Sequence, residues 1–160
     1  MQRVDLEHAI IALESLMNSD SPNESVFQEW FEDHGVIFEL LGYQRVLAHP
    51  QLTEDGVILY TPDFLAQRLD GLWEIIEIKR PDTAVLRDTV RRRTFYADMN
   101  SYVSQTSLDY SKYFNDRSHR GEFKARYGVD VQESPDSILI AGRSDGLERQ
   151  VVHGMLSGRV

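Results

Sequence analysis

Tyr60-Thr-Pro-Asp-Phe-Leu-Ala-Gln-Arg-Leu-Asp-Gly-Leu-Trp-Glu-Ile-Ile-Glu-Ile-Lys-Arg80 decides how this chain is read. Its second half, Leu72 to Lys79, is the strongest strand in the sequence, rich in aromatic and β-branched residues and halted by Pro81. Side chains alternate along a strand, which puts Glu77 and Lys79 on one face above Trp73 and Ile75, and Ile76 with Ile78 on the other. The first half belongs to a β-rich segment from Gly56 to Ala66, in which Pro62 predicts an edge strand or a bend. Together the halves make a hairpin, and its register decides whether Asp63 and Glu77 can meet. A two-residue loop, Asp70-Gly71, would pair position 69 with 72 and set Asp63 opposite Ile78, on the wrong face. A three-residue loop, Leu69-Asp70-Gly71, with Gly71 in the left-handed conformation of a G1 bulge, pairs 68 with 72 and sets Asp63 opposite Glu77. Glycine in the last place is what the second geometry demands, so that register is the expected one.

Outward from the hairpin the chain reads mostly as helix. Residues 4–17 have roughly helical apolar spacing. A second helix is expected from Asn23 as cap, with Val26, Phe27, Trp30 and Phe31 on one face, ending by His34-Gly35. Gly35 to Leu47 reads as a short strand or an irregular connection. Leu86 to Phe114 contains neither Pro nor Gly and predicts a long helix, or two in line, with Arg91 to Arg93 spread around a solvated turn. Residues 115–135 read as a charged loop containing a short helix, Ser137 to Gly142 as a buried central strand, and 150–155 as weakly β-like. This order predicts an α/β fold, a mixed central β-sheet flanked by helices. It divides into an N-terminal helix and linker (1–22), a core (23–145) and a C-terminal extension (146–160).

At 160 residues and 41% hydrophobic, the chain suits one domain with one sizeable core. With no cysteine it has neither disulfide nor thiolate metal site, and a cytoplasmic setting is expected; no apolar run is long enough to predict a membrane span. The formal charge of −9 argues against a protein that coats DNA with a broad basic surface. The acids concentrate before residue 79, however, and the stretch from Lys79 to Arg126 leaves room for a local basic strip that includes Arg80 and Lys112. The five histidines have no metal-ligand spacing, and Trp30 and Trp73 are expected in the core.

Two carboxylates converging beside a lysine suit a hard divalent cation. Asp63 and Glu77 would supply oxygen ligands, the Ile78 carbonyl a third and water the rest. Bound Mg²⁺ lowers the pKa of its water and polarises a phosphoryl oxygen, which are two of the requirements for phosphodiester cleavage. Lys79 beside these acids should stay protonated, which favours an electrostatic role over that of a general base.

Pro62-Asp63 followed by Glu77-Ile78-Lys79 resembles the motif of the PD-(D/E)xK nuclease superfamily. More narrowly, Asn23-Glu-Ser-Val-Phe-Gln-Glu-Trp-Phe-Glu-Asp-His34, Tyr60-Thr-Pro-Asp-Phe-Leu65, Trp73-Glu-Ile-Ile-Glu-Ile-Lys-Arg-Pro81 and Ser137-Ile-Leu-Ile-Ala-Gly142 look like the nuclease domain of the Shedu antiphage defence proteins. The resemblance implies a restriction-endonuclease-like core and a Mg²⁺-dependent DNA endonuclease, with Mn²⁺ able to substitute, acting in antiphage defence as a homo-oligomer. It also implies that Glu24 assists metal binding and that Gln105 contacts the active site or the DNA backbone, with Arg80 and Lys112 as further DNA contacts. The sequence departs from the pattern in two places. The tyrosine expected four residues after Gln105 is replaced by Asp109, with Tyr110 one later, and the helix, strand and Tyr-Asp segment expected after Gly142 do not follow before Val160. These departures motivate an alternative, a catalytically inactive nuclease-fold module that binds DNA or serves regulation and assembly.

Overall fold

The computed structural model describes residues 3–20, 23–88 and 93–143. Helix α1 (Arg3–Met17), α2 (Glu24–Asp33) and the short α3 (Val36–Leu40) precede strand β1 (Tyr43–Ala48). The hairpin β2 (Leu52–Glu54) and β3 (Val57–Tyr60) leads into β4 (Phe64–Arg68) and β5 (Trp73–Ile78). A second small hairpin, β6 (Leu86–Asp88) and β7 (Arg93–Phe95), is followed by α4 (Ala97–Ser104), a π-helical turn (Gln105–Tyr110), α5 (Ser111–Tyr113), α6 (Arg117–Tyr127) and β8 (Asp136–Ile140).

The main sheet has the order β1-β4-β5-β8, antiparallel except for the parallel β5–β8 pair. Strand alternation gives it two apolar faces. Leu65, Trp73 and Ile75 pack on one side with Tyr110, Tyr113, Phe114 and Phe123 from the π-turn, α5 and α6. Phe64, Ala66, Ile76 and Ile78 pack on the other with Phe27 and Phe38 from α2 and α3, and with Leu13 and Leu16 from α1 at the margin. The result is helices, mixed sheet, helices in three layers, as an α/β reading requires. Trp30 and Trp73 are both buried.

The β4–β5 register is Phe64↔Ile76, Leu65↔Ile75, Ala66↔Glu74 and Gln67↔Trp73. The loop closes with Arg68 N–H on the Leu72 carbonyl at 2.8 Å and Gly71 N–H on the Arg68 carbonyl at 2.9 Å, and Gly71 takes φ +91°. This is the three-residue loop that glycine in its last position calls for. One pair beyond Phe64↔Ile76, it sets Asp63 against Glu77.

Several expectations are corrected. The segment from Gly56 to Ala66 is not one bent strand: β3 pairs with β2 in a sheet of its own, and the chain crosses to the main sheet at Thr61-Pro62. Pro62, lacking an N–H, suits such a crossing. Leu86 to Phe95 is a hairpin rather than the start of a long helix, and of the arginine run Arg93 lies in β7 while Arg91 and Arg92 fall outside the described residues. Residues 115–135 hold a helix of 11 residues, α6, capped by the Asp116 carboxylate accepting from Ser118 and His119 N–H and ended by left-handed Gly128. β8 is half-buried and outermost among the described strands, not central. The β-like stretch at 150–155 lies outside the described residues.

Candidate active site

The end of β5, with Glu77 on it and Lys79 just after it, meets the start of β4 beside Asp63, and helices from both layers reach it. Asp63 and Glu77 are about 5% and 4% exposed, which is unusual for carboxylates and requires partners for every oxygen. Those partners are present. Asp63 Oδ2 accepts from the Ile78 N–H at 2.7 Å and Oδ1 from Gln28 Nε2 at 2.5 Å. Glu77 Oε2 accepts from the Asp63 N–H at 3.3 Å and Oε1 from Lys79 Nζ at 2.9 Å. Lys79 Nζ also donates to Glu24 Oε1 at 3.1 Å and lies 5.1 Å from the centroid of the Tyr102 ring.

The charges are out of balance, with three carboxylates around one ammonium. Burial, then the neighbouring Glu77 charge, pushes the Asp63 pKa up to about 7, although the Ile78 N–H and Lys79 pull the other way. For Lys79, burial works against the ammonium, but Glu77 and Glu24 outweigh it and hold its pKa above the ordinary lysine value. Lys79 is therefore held in its charged form at neutral pH.

Gln105 Nε2 donates to the Tyr110 hydroxyl at 2.6 Å. Burial, followed by the charges of Glu77 and Asp63, raises the Tyr110 pKa. In an α-helix two residues five apart are separated by ~140° around the axis, at 3.6 residues per turn. The π-turn over Gln105–Tyr110 absorbs the extra residue, so the Gln-to-Tyr spacing that looks displaced in the sequence yields a bonded pair.

Among the described residues no group of three or more His, Asp or Glu is gathered for a metal. The set is two carboxylates, with Glu24 engaged by Lys79. The Ile78 carbonyl leaves the strand on the edge that its N–H uses, toward Asp63. Arg80 turns away to Asp82, its Nε donating to Oδ1 at 2.8 Å and its Nη2 pairing with Oδ2. Lys112 is exposed along a separate groove of about 350 Å³ lined by Tyr60, Asp109, Tyr113 and His119.

The sequence matches the family described as Shedu protein SduA, C-terminal, over residues 21–156. This chain belongs to the Shedu SduA C-terminal family. No curated protein matches it. Membership points to a Shedu-type role in antiphage defence. In this Shedu-family chain the structure brings Asp63, Glu77, Ile78, Lys79 and Glu24 to one place and Gln105 to its border through Tyr110, while Arg80, next to Lys79, bonds Asp82 instead and Lys112 lies on a separate groove. Sequence reasoning missed Gln28 and Tyr102 as site residues. A signal existed for Gln28, one turn after Glu24 on the same edge of α2. Tyr102 offered none, because the helix that carries it was expected to begin eleven residues earlier than it does. No helix among the described residues is long and apolar enough to cross a membrane.

Proposed function

We propose that this Shedu-family chain is a Mg²⁺-dependent deoxyribonuclease that hydrolyses phosphodiester bonds of DNA in antiphage defence. On this reading the core is of the PD-(D/E)xK type, and the protein acts on DNA in the cytoplasm as a homo-oligomer. One observation carries the proposal: Asp63 and Glu77 face each other across a bulged hairpin with Lys79 bonded to Glu77. Two buried carboxylates, with burial first and the Glu77 charge second raising the Asp63 pKa, are short of positive charge, which is the condition a cation relieves. Mg²⁺ is commonly held by one or two carboxylates, with waters and substrate phosphates completing its shell, so the donor set fits without a third acid. Asp63, Glu77 and the Ile78 carbonyl would hold the ion, and Mn²⁺ could take its place.

When bound, the ion supplies charge neutralisation on the phosphate and an acidified water. The rest falls to the protein's own groups. Lys79 places its ammonium where negative charge develops on the phosphoryl oxygens, and its raised pKa keeps it charged through the pH range of activity. Glu24 and the Tyr102 ring hold its ammonium in place.

Purified protein incubated with linear, circular and single-stranded DNA should cut in Mg²⁺ and not in chelator. Lys79→Ala should lower the cleavage rate by about 10²–10³-fold with an unchanged circular-dichroism spectrum. Undiminished cleavage by the variant would sink the assignment. The surplus of acid, with all four oxygens of Asp63 and Glu77 already hydrogen-bonded, favours a second reading, a nuclease-fold module for DNA binding or assembly. That module would bind or assemble equally with and without Mg²⁺ and never cut.

A further inference from the structure

Gln28 makes a contact that the cleavage chemistry does not explain. Its Nε2 donates to Asp63 Oδ1 at 2.5 Å, linking residues 35 apart in sequence. The terminal torsion of an aspartate is broad and roughly two-fold, so the backbone alone leaves the plane of the carboxylate open. The Ile78 N–H holds one oxygen. Gln28 holds the other, and two donors on different oxygens fix the plane. The choice of an amide matters. Arg or Lys at this position would neutralise the carboxylate and compete with a cation, and Glu would add a third negative charge, whereas Gln donates a hydrogen bond and leaves the full charge of Asp63 available. One turn earlier on the same helix, Glu24 takes Lys79. A single edge of α2 thus grips the carboxylate that opens β4 and the lysine that follows β5.

We propose that Gln28 is the positioning residue that orients Asp63 for a divalent cation, so that the docking of α2 sets the metal affinity of the site. This rests on reading Asp63 and Glu77 as the metal ligands. A hydrogen-bonding partner of a metal ligand typically changes metal affinity 10–100-fold when removed.

The test compares the whole chain with Gln28→Met, which keeps the length of the side chain but has no donor, and with Gln28→Ala. Calorimetric titration with Mn²⁺ in the absence of DNA gives affinity, and thermal melting without metal gives stability. Both variants should bind Mn²⁺ about 10–100-fold more weakly while melting within a few degrees of wild type. The metal concentration needed for half-maximal cleavage should rise by the same factor, with the rate at saturating metal retained. Variants that bind Mn²⁺ as tightly as wild type, when Asp63→Ala binds none, would overturn the role of Gln28 and leave the metal site standing. Weaker binding accompanied by a comparable loss of metal-free stability, or failure of both variants to fold, would make Gln28 a structural tie and also overturn it. If wild type itself takes up no Mn²⁺, the metal-site reading falls, and this inference with it.

Discussion

Asp63 is the residue at which stability and function pull in opposite directions. Its folded-state pKa, pushed up to about 7 first by burial and then by Glu77, lies above the ordinary carboxylate value. In the metal-free protein the folded state therefore holds a proton that the unfolded chain has already lost between about pH 4 and 7. The contribution of this group is fully favourable below that window, declines as pH rises through it, and is lost above it. Asp63→Asn, which removes the charge and keeps the shape, should stabilise the metal-free protein at pH 8 by on the order of 2–4 kcal/mol and remove the decline in melting temperature between pH 4 and 7. The same substitution should abolish Mn²⁺ binding. In the unsubstituted protein metal uptake should weaken below about pH 7, because each ion must displace the Asp63 proton, and the protons released on titration at pH 6 would count that displacement directly. A melting temperature indifferent to Asp63→Asn would show that the carboxylate is not destabilised in the fold.

At the scale of elements, the core of the candidate site was legible in the sequence because Asp63, Glu77 and Lys79 lie on one hairpin whose register is set by local turn chemistry at Gly71. Of what lay on other elements, Glu24 and Gln105 were reached only through the family resemblance, and the rest was not identified. Gln28 and Tyr102 reach the site through the docking of α2 and α4, which no local pattern specifies. The β6–β7 hairpin was misread as helix because the absence of Gly and Pro from Leu86 to Phe114 weighed more than the β-formers Thr89, Val90, Thr94, Phe95 and Tyr96 around the arginines. The π-turn shows a third kind of illegibility, since one residue too many in a helix reads as a misplaced motif until its i→i+5 bonding is seen. Ser107, Leu108 and Asp109 are all exposed, so the surplus residue is carried on the solvent side. Deleting Leu108 should convert the turn to α-helix, keep the pairing of Gln105 with the tyrosine now four residues on, and leave the melting temperature within a few degrees of wild type. A large loss of stability or of metal-dependent activity would mean that the wide turn itself is required.

For the whole molecule, the three-layer arrangement explains why the site lies where it does. Each helical layer covers one face of the sheet, and at the end of β5 elements of both come within reach of the same group of side chains, α2 from one side and α4 with the π-turn from the other. The shelf beneath Lys79 is built from distant chain. Its N–H donates to the Ile140 carbonyl at 2.7 Å, and just beyond β8 a Cβ on Gly142 would lie 2.6 Å from Val85 Cγ2 and 2.8 Å from the Thr83 carbonyl, at φ +69°. Gly142→Ala should therefore cost about 1–3 kcal/mol, measured by denaturant unfolding, through both the close approach and the left-handed backbone. An unchanged midpoint would show that the 83–85 segment yields freely.

The loop from Leu69 to Gly71 lies at the far end of β4 and β5 from the carboxylates it aligns, with Leu69 about 75% exposed. The Leu69 side chain is open to change, whereas Asp70 accepts from the Leu72 N–H at 3.2 Å and pairs with Arg68 at 2.7 Å. The length of the loop is fixed, because one residue more or fewer turns Asp63 to the opposite face of the strand. The π-turn is expected to give up a residue on its outer side, and the hairpin loop is not. Over evolutionary time, lineages descending from this protein should therefore accumulate substitutions at 69 freely while insertions and deletions in the loop are purged, and a lineage that has lost a residue from this loop should have lost the alignment of Asp63 with Glu77, and the proposed nuclease activity with it.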